Sequence, residues 1–338
     1  MIKKLFFMAA LLVPGLASAA NPSADLSGQI VPSGGCNAGN HGLVRGRAQI
    51  AGGTMVAEDG CLIRAVSSHM DAPSDGGTFA ANYGNITWWH QMHDIGHFNA
   101  LRIAAYLQWG PPGGARTDSQ TMANVESQLD TILSLASQVG MYVVIDCHSF
   151  PGPGGAGDNP PDWGNDQYGN ATFWTTIAAR YANNSNVIFE IQNEPDGDGD
   201  IAGHVTSAYN LIRSLAPNTK LITNTFNCNG SLNIIQAETA IDYTNVAASG
   251  FHPYCDANIS NEMAISQQIQ AAGFPVIMTE YCCGASGGGI DMNGYIAALE
   301  AGQISWFLWA AGFTDASTGI TYGSDQGYGP LNITWPKD

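Results

Sequence analysis

The sequence predicts a single-domain α/β protein built as a closed (β/α)8 TIM barrel, and three observations carry that expectation. Eight short runs rich in β-branched and apolar residues recur along the chain: IRAVSSH, ALRIAAY, YVVIDCH, VIFEIQNE, KLITNT, VAASGFHPY, PVIMTE and ISWFLW. Helix-like stretches separate most of them, and strands alternating with helices imply a parallel sheet. The eight runs occupy about 250 residues, the usual length of a closed barrel.

Taken in order, residues 1–20 read as a secretory signal peptide, with Lys3 and Lys4 ahead of an apolar stretch and the small exit Ala17-Ser18-Ala19. The apolar run is shorter than the ~20 residues of a spanning helix. Residues 21–338 then form one catalytic domain, in which the segment 25–60 precedes the first run and is expected to cover the barrel floor. Thr121–Ala136 is the clearest helix, because Met122, Val125, Leu129, Ile132 and Leu133 recur every three to four residues and mark one apolar face. Ala202–Ala216, Glu262–Ala272 and Asp291–Ala301 repeat the pattern. An open doubly wound sheet is the competing architecture. The glycine runs GPPGG, PGPGG and GASGGG follow strands without a GxGxxG register opening a helix, so they read as loops above a barrel.

Without Lys3 and Lys4, nine Lys and Arg face 28 Asp and Glu, which changes the formal charge from −17 to −19. Nucleic acid and anionic membranes are therefore poor partners. Seven cysteines in an exported chain imply disulfides and at least one leftover thiol. Cys147, inside an apolar strand, is the expected leftover. Cys36 is expected to pair with Cys61, while Cys228, Cys255, Cys282 and Cys283 allow three connectivities.

In a barrel the C-terminal strand ends meet on one face, so the polar residues closing each run list what lines the cleft. They are His69, Arg102, His148, Asn193 with Glu194, His252 with Tyr254, Glu280 and Trp309. Polar groups on apolar strands are costly to bury alone, which argues that these act together. Two carboxylates at two strand ends suit double displacement: Glu194 as general acid, its pKa raised by desolvation and a facing carboxylate, and Glu280 as nucleophile. Structural ion pairs are the competing reading for both. Arg102 is placed to fork to Glu280, Asn193 to hold a 2-hydroxyl, His148 and His252 to donate to sugar hydroxyls, and Tyr254 to hold the nucleophile. Trp309 offers an indole platform for a sugar face, with Trp88, Trp89, Trp109, Trp163 and Trp174 as further candidates and Trp306 packing deeper. Glu190 shares the parity of Glu194 and reads as an inward structural residue. The run DGDGD from Asp196 lacks the later Gly and Glu of a calcium loop and reads as solvated, so no metal site is expected.

Together these residues resemble clan A glycoside hydrolases, and family 5 most closely, the family of many bacterial endo-β-1,4-glucanases and β-mannanases. The resemblance runs from about Ile63 to Trp309. SSHMD looks like the SSHG of the bacterial endoglucanase branch, which makes His69 a sugar-subsite residue, and FNALRIAAY looks like its second strand with Arg102. MYVVIDCHS is similar to MYVIIDWHI, EIQNEP to EIxNEP, FHPY to HxY, and SWFLW to SWxxW, while the TE strand end supplies Glu280. Cys147 stands where a Trp is usual, Tyr281 replaces the Trp after the nucleophile, and AAGFTDAS replaces a loop that usually carries a sugar-binding Lys. The resemblance implies a secreted, monomeric, retaining endo-β-glycanase acting on β-1,4-glucan, with β-mannan, mixed-linkage glucan or xyloglucan as alternatives. No cofactor is implied, since carboxylates perform both steps. A non-catalytic carbohydrate-binding barrel would be expected to lack Glu194 or Glu280, and an esterase would need its serine on a strand-to-helix GxSxG elbow, whereas the GAS of Gly284–Ser286 lies in a loop.

Overall fold

The computed structural model describes residues 46–70, 83–109, 118–148, 170–194, 200–226, 232–253, 259–281, 292–309, 313–315, 321–322 and 331–333. Eight parallel strands close into a barrel in sequence order. They are β1 (Arg64–His69), β2 (Ala100–Ala105), β3 (Tyr142–Cys147), β4 (Val187–Glu190), β5 (Lys220–Phe226), β6 (Ala247–Phe251), β7 (Val276–Met278) and β8 (Trp306–Trp309). Each falls within one of the eight runs read from the sequence, apart from the last residue of β5. Trp306 pairs with Arg64 across the β8–β1 seam, and β5 pairs with β6.

Helices α1 (Ile86–His90), α2 (Met122–Val139), α3 (Asn170–Tyr181), α4 (Ile201–Leu215), α5 (Leu232–Ala237), α6 (Ile259–Ala271) and α7 (Met292–Ala301) lie between strands. In α2, Thr121 caps the N-terminus by accepting from the Asn124 amide, and Gly140 ends the helix with φ 77°, a conformation that costs glycine little. Its buried residues include Val125, Leu129, Ile132 and Leu133, the face that the 3–4 spacing marks. Asp200 caps α4 by accepting from the Gly203 amide, so the last residue of the DGDGD run has a helix-starting role. The first four lie outside the described residues.

Strand alternation sorts side chains into two cores. Val66, Leu101, Ile103, Val143, Ile145, Cys147 and Phe189 face outward and pack with the helices. Ala65, Ala100, Tyr142, Val144, Ile188, Ile222, Ala248, Ile277 and Phe307 fill the barrel interior, where alanines leave room for Tyr142 and Phe307. Burying one such aromatic stabilises by about 1.5–3 kcal/mol. From below, a hairpin of Gln49–Ala51 and Thr54–Val56 sends Met55 and Ala57 into the same core. Tyr142 Oη donates to Gly46 O at 3.1 Å and accepts from the Glu58 amide at 3.0 Å. Ser305 Oγ accepts from the Ile63 amide at 2.8 Å and donates to Met55 O. The described part of the 25–60 segment thus closes the floor, leaving the C-terminal mouth for polar groups.

Among the described residues no helix is long and apolar enough to cross a membrane. Cys147 is buried and outside any disulfide, whereas Cys61 is disulfide-bonded to a partner outside the described residues.

Candidate active site

Residues from six strands meet at the mouth, and Arg102 is the hub. Because β2 alternates, the parity that buries Ala100 inside the barrel also sends Arg102 inward, where it is 0% exposed. Its Nε donates to Glu190 Oε2 at 2.6 Å and its Nη2 to Glu190 Oε1 at 2.9 Å. Nη1 donates to Glu280 Oε2 at 2.8 Å, and Nη2 also donates to Asn193 Oδ1 at 2.8 Å. Asp146 Oδ2 lies 2.9 Å from the same Nη2. Burial works against the guanidinium charge, yet the carboxylates of Asp146, Glu190 and Glu280 more than offset it and hold Arg102 well above its ordinary range. The bidentate fork therefore goes to Glu190, and Glu280 receives a single bond, where the sequence led us to expect the fork.

Glu194 follows β4 and adopts φ 40°, a left-handed conformation rare outside glycine. Non-glycine residues held there carry backbone strain of order 1–3 kcal/mol and cluster at functional sites. Its Oε1 contacts His252 Nδ1 at 2.8 Å. Burial pushes the Glu194 carboxyl up to about 7, with Arg102 pulling the other way. Desolvation, and not the facing carboxylate, is therefore the main cause. One ligand atom each from Glu194, His252 and Glu280 lie within 4.8 Å of one another, so carboxylate oxygens of the two acids face each other at that distance or less. This buried set offers donors a divalent ion could use.

The Nδ1 of His148 contacts Asp146 Oδ2 at 2.5 Å, and its ring stacks on Trp309 with centroids 5.9 Å apart and planes 9° from parallel. Burial and the Arg102 charge push His148 down to about 3; burial likewise pushes His252 down to about 4. Both imidazoles are neutral at ordinary pH. His252 is engaged with Glu194, where the sequence suggested a sugar contact.

The structure brings together Arg102, His148, Asn193, Glu194, His252, Glu280 and Trp309. His69 ends β1 in register with Ala104, placing its backbone at the mouth. Tyr254, the glycine-rich loop from 282 and Trp163 lie outside the described residues, as do the side chains of His69 and Trp109, whereas Tyr281 is buried. Trp88, Trp89, Trp174 and Trp306 are buried in the outer core, and Trp306 Nε1 donates to Glu300 Oε1 at 2.8 Å. The sequence reading passed over Asp146. Its signal was a charged residue at inward parity, two before His148, in an otherwise apolar strand.

Residues 63–315 match the family model for cellulase, glycosyl hydrolase family 5. The chain belongs to this family. Among its relatives, an endoglucanase of Clostridium saccharobutylicum is 25% identical over 294 residues, covering 82% of this chain and 60% of that protein. Endoglucanase N of Pectobacterium atrosepticum is 24% identical over 296 residues, covering 84% of this chain and 62% of its own length. The chain thus spans about 60% of these curated relatives. The catalytic domain of endoglucanase Cel5A from Thermobifida fusca superposes with a TM-score of 0.61 at 23% identity, covering 83% of this chain and 93% of that one. A β-glucanase from Saccharophagus degradans, solved with cellotetraose, gives 0.59 at 19% identity, covering 79% and 84%. At these identities the two structures establish the family 5 barrel as the fold.

Proposed function

We propose that this chain is a secreted, monomeric, retaining endo-β-glucanase that cleaves internal β-1,4-glucosidic bonds of cellulose-type glucan. The observation that carries the reading is that one carboxylate oxygen of Glu194 lies within 4.8 Å of one of Glu280, a close approach that suits the ~5–5.5 Å carboxyl separation of double displacement better than the ~6.5–9.5 Å of inversion. Glu194, kept protonated by burial, gives its proton to the glycosidic oxygen. Glu280, hydrogen-bonded by Arg102, attacks the anomeric carbon and forms a glycosyl ester. The Glu194 carboxylate then takes a proton from water, whose oxygen displaces Glu280. Arg102 can only donate, so Asn193 presents Oδ1 to it and keeps its amide N–H groups for the sugar 2-hydroxyl. Endoglucanase relatives and a neighbour holding cellotetraose support a glucan substrate. The leader pattern of residues 1–20 and the disulfide at Cys61 support export.

The experiment is reducing-sugar release from carboxymethylcellulose, barley β-glucan, glucomannan and galactomannan, with a Glu194→Ala/Glu280→Ala double variant as blank. Release from the two glucans supports the proposal. Release from the mannans alone moves the substrate to β-mannan, and release from none overturns the hydrolase reading.

A further inference from the structure

Asp146 belongs to no step above, yet it is fully buried at the centre of the site. Its Cα partner on β4 is Glu190, so two inward carboxyls stand directly opposite each other on neighbouring strands, an arrangement that repels when both are ionised. The nearby cation is Arg102 on β2, already committed to Glu190 through two bonds and to Glu280 through a third. Nη2 carries two hydrogens, and these go to Glu190 Oε1 and Asn193 Oδ1, leaving none for Asp146 Oδ2 at 2.9 Å. Asp146 Oδ1 is buried with no hydrogen-bond partner among the described residues. An ionised Asp146 would therefore be a third carboxylate around one guanidinium, held by a single hydrogen bond, in a site where both conditions are costly.

We infer that Asp146 is a neutral carboxylic acid that donates Oδ2–H to Nδ1 of His148 and so locks this imidazole in the Nε2–H tautomer, making His148 a donor to a sugar oxygen. Asp146 is thus a positioning residue acting through His148. The stack on Trp309 holds the ring plane while Asp146 sets its polarity. The charged groups around Asp146 agree. Burial raises it, Arg102 pulls it back and Glu194 adds to the rise, leaving it at about 7. His148 is kept neutral by burial and by the charge of Arg102, with Glu280 opposing. Above about pH 7 the Nε2 proton is lost to solvent as the Asp146 proton passes to Nδ1, and Nε2 becomes an acceptor.

The donor role toward sugar rests on the β-glucanase reading, but the tautomer does not, so the first test uses substrate-free enzyme. Histidine 15N–1H correlation spectra, with the His148 signal assigned by its loss in H148N, should show Nε2–H at about pH 5 and Nδ1–H at about pH 9. An amide can also donate to Nδ1, so D146N should keep Nε2–H at both pH values. An Nδ1–H tautomer or an imidazolium in the wild type at pH 5 overturns the inference, as does a reversed tautomer in D146N. On glucan, D146A should lose about tenfold in kcat/KM and D146N should recover most of that loss. A deeper loss in D146N than in D146A would mark Asp146 as an ionised acceptor and overturn the assignment. Wild-type inactivity on glucan, with the tautomer as stated, would overturn the substrate reading alone.

Discussion

Replacing Arg102 by Met keeps an unbranched apolar stem and removes the guanidinium that Glu190, Glu280 and Asp146 share. In the wild type, burial holds Asp146 and Glu190 up to about 7 even against the pull of Arg102. Without that pull both keep their protons to higher pH. A carboxyl raised above its unfolded value contributes stability that is fully present below the unfolded value and is lost as pH rises through the folded one. In the wild type the loss ends near pH 7; in R102M it continues. The two stability curves therefore run parallel below pH 7 and separate above it, by about 1.4 kcal/mol per pH unit for each carboxyl. Two carboxyls held about 1.5 units beyond pH 7 amount to about 4 kcal/mol near pH 8.5, within the ~3–5 kcal/mol expected for breaking a buried ion pair. Guanidinium chloride unfolding at steps from about pH 5.5 to 8.5 measures the difference. A penalty of the same size at every pH would refute the claim that protonation of Asp146 and Glu190 can replace Arg102.

Three further outcomes are expected. The acid form of Glu194 is needed for the first step, so kcat should fall as pH rises through about 7, and E194Q/D146N should lack that limb; a limb that persists in the double variant assigns it to another group. Glu280→Ala should abolish turnover, and azide should restore it as a glycosyl azide of inverted configuration, visible by NMR; unchanged turnover would remove Glu280 as nucleophile. At the floor, Arg47 donates to Asn184 O at 3.0 Å and Ala182 O at 2.8 Å, so Arg47→Ala should cost about 1–2 kcal/mol of unfolding free energy with kcat unchanged. A lowered kcat at full folding would show that the floor is coupled to the mouth.

Much of this barrel was legible before any coordinates. Period-2 runs such as YVVIDCH mark strands because each alternate residue must enter one of two apolar cores, and Val143 and Val144 do enter different ones. The helix over Met122–Val139 was equally plain, since its apolar spacing and its Thr and Gly ends agree. Side-chain pairing was less legible. Arg102 lies within reach of three carboxylates, and only the register of β2, β3 and β4 decides that Glu190 takes both oxygens' worth of it. The engagement of His252 with Glu194 and the left-handed turn at Glu194 depend on strand ends 58 residues apart in sequence, which no local pattern encodes. Asp146 was missed for a related reason: a lone acid in a strand has no meaning until its cross-strand partner proves to be another acid.

The central claim is that Glu194 and Glu280 act as acid and nucleophile at double-displacement distance. Following the anomeric protons of the first products released from a soluble β-1,4-gluco-oligosaccharide by NMR, before mutarotation, tests it most directly. Retention predicts the β-anomer first, relaxing later to the equilibrium mixture. Appearance of the α-anomer first would contradict the account, because inversion places a water between carboxyl groups ~6.5–9.5 Å apart, whereas oxygens of these two acids approach within 4.8 Å.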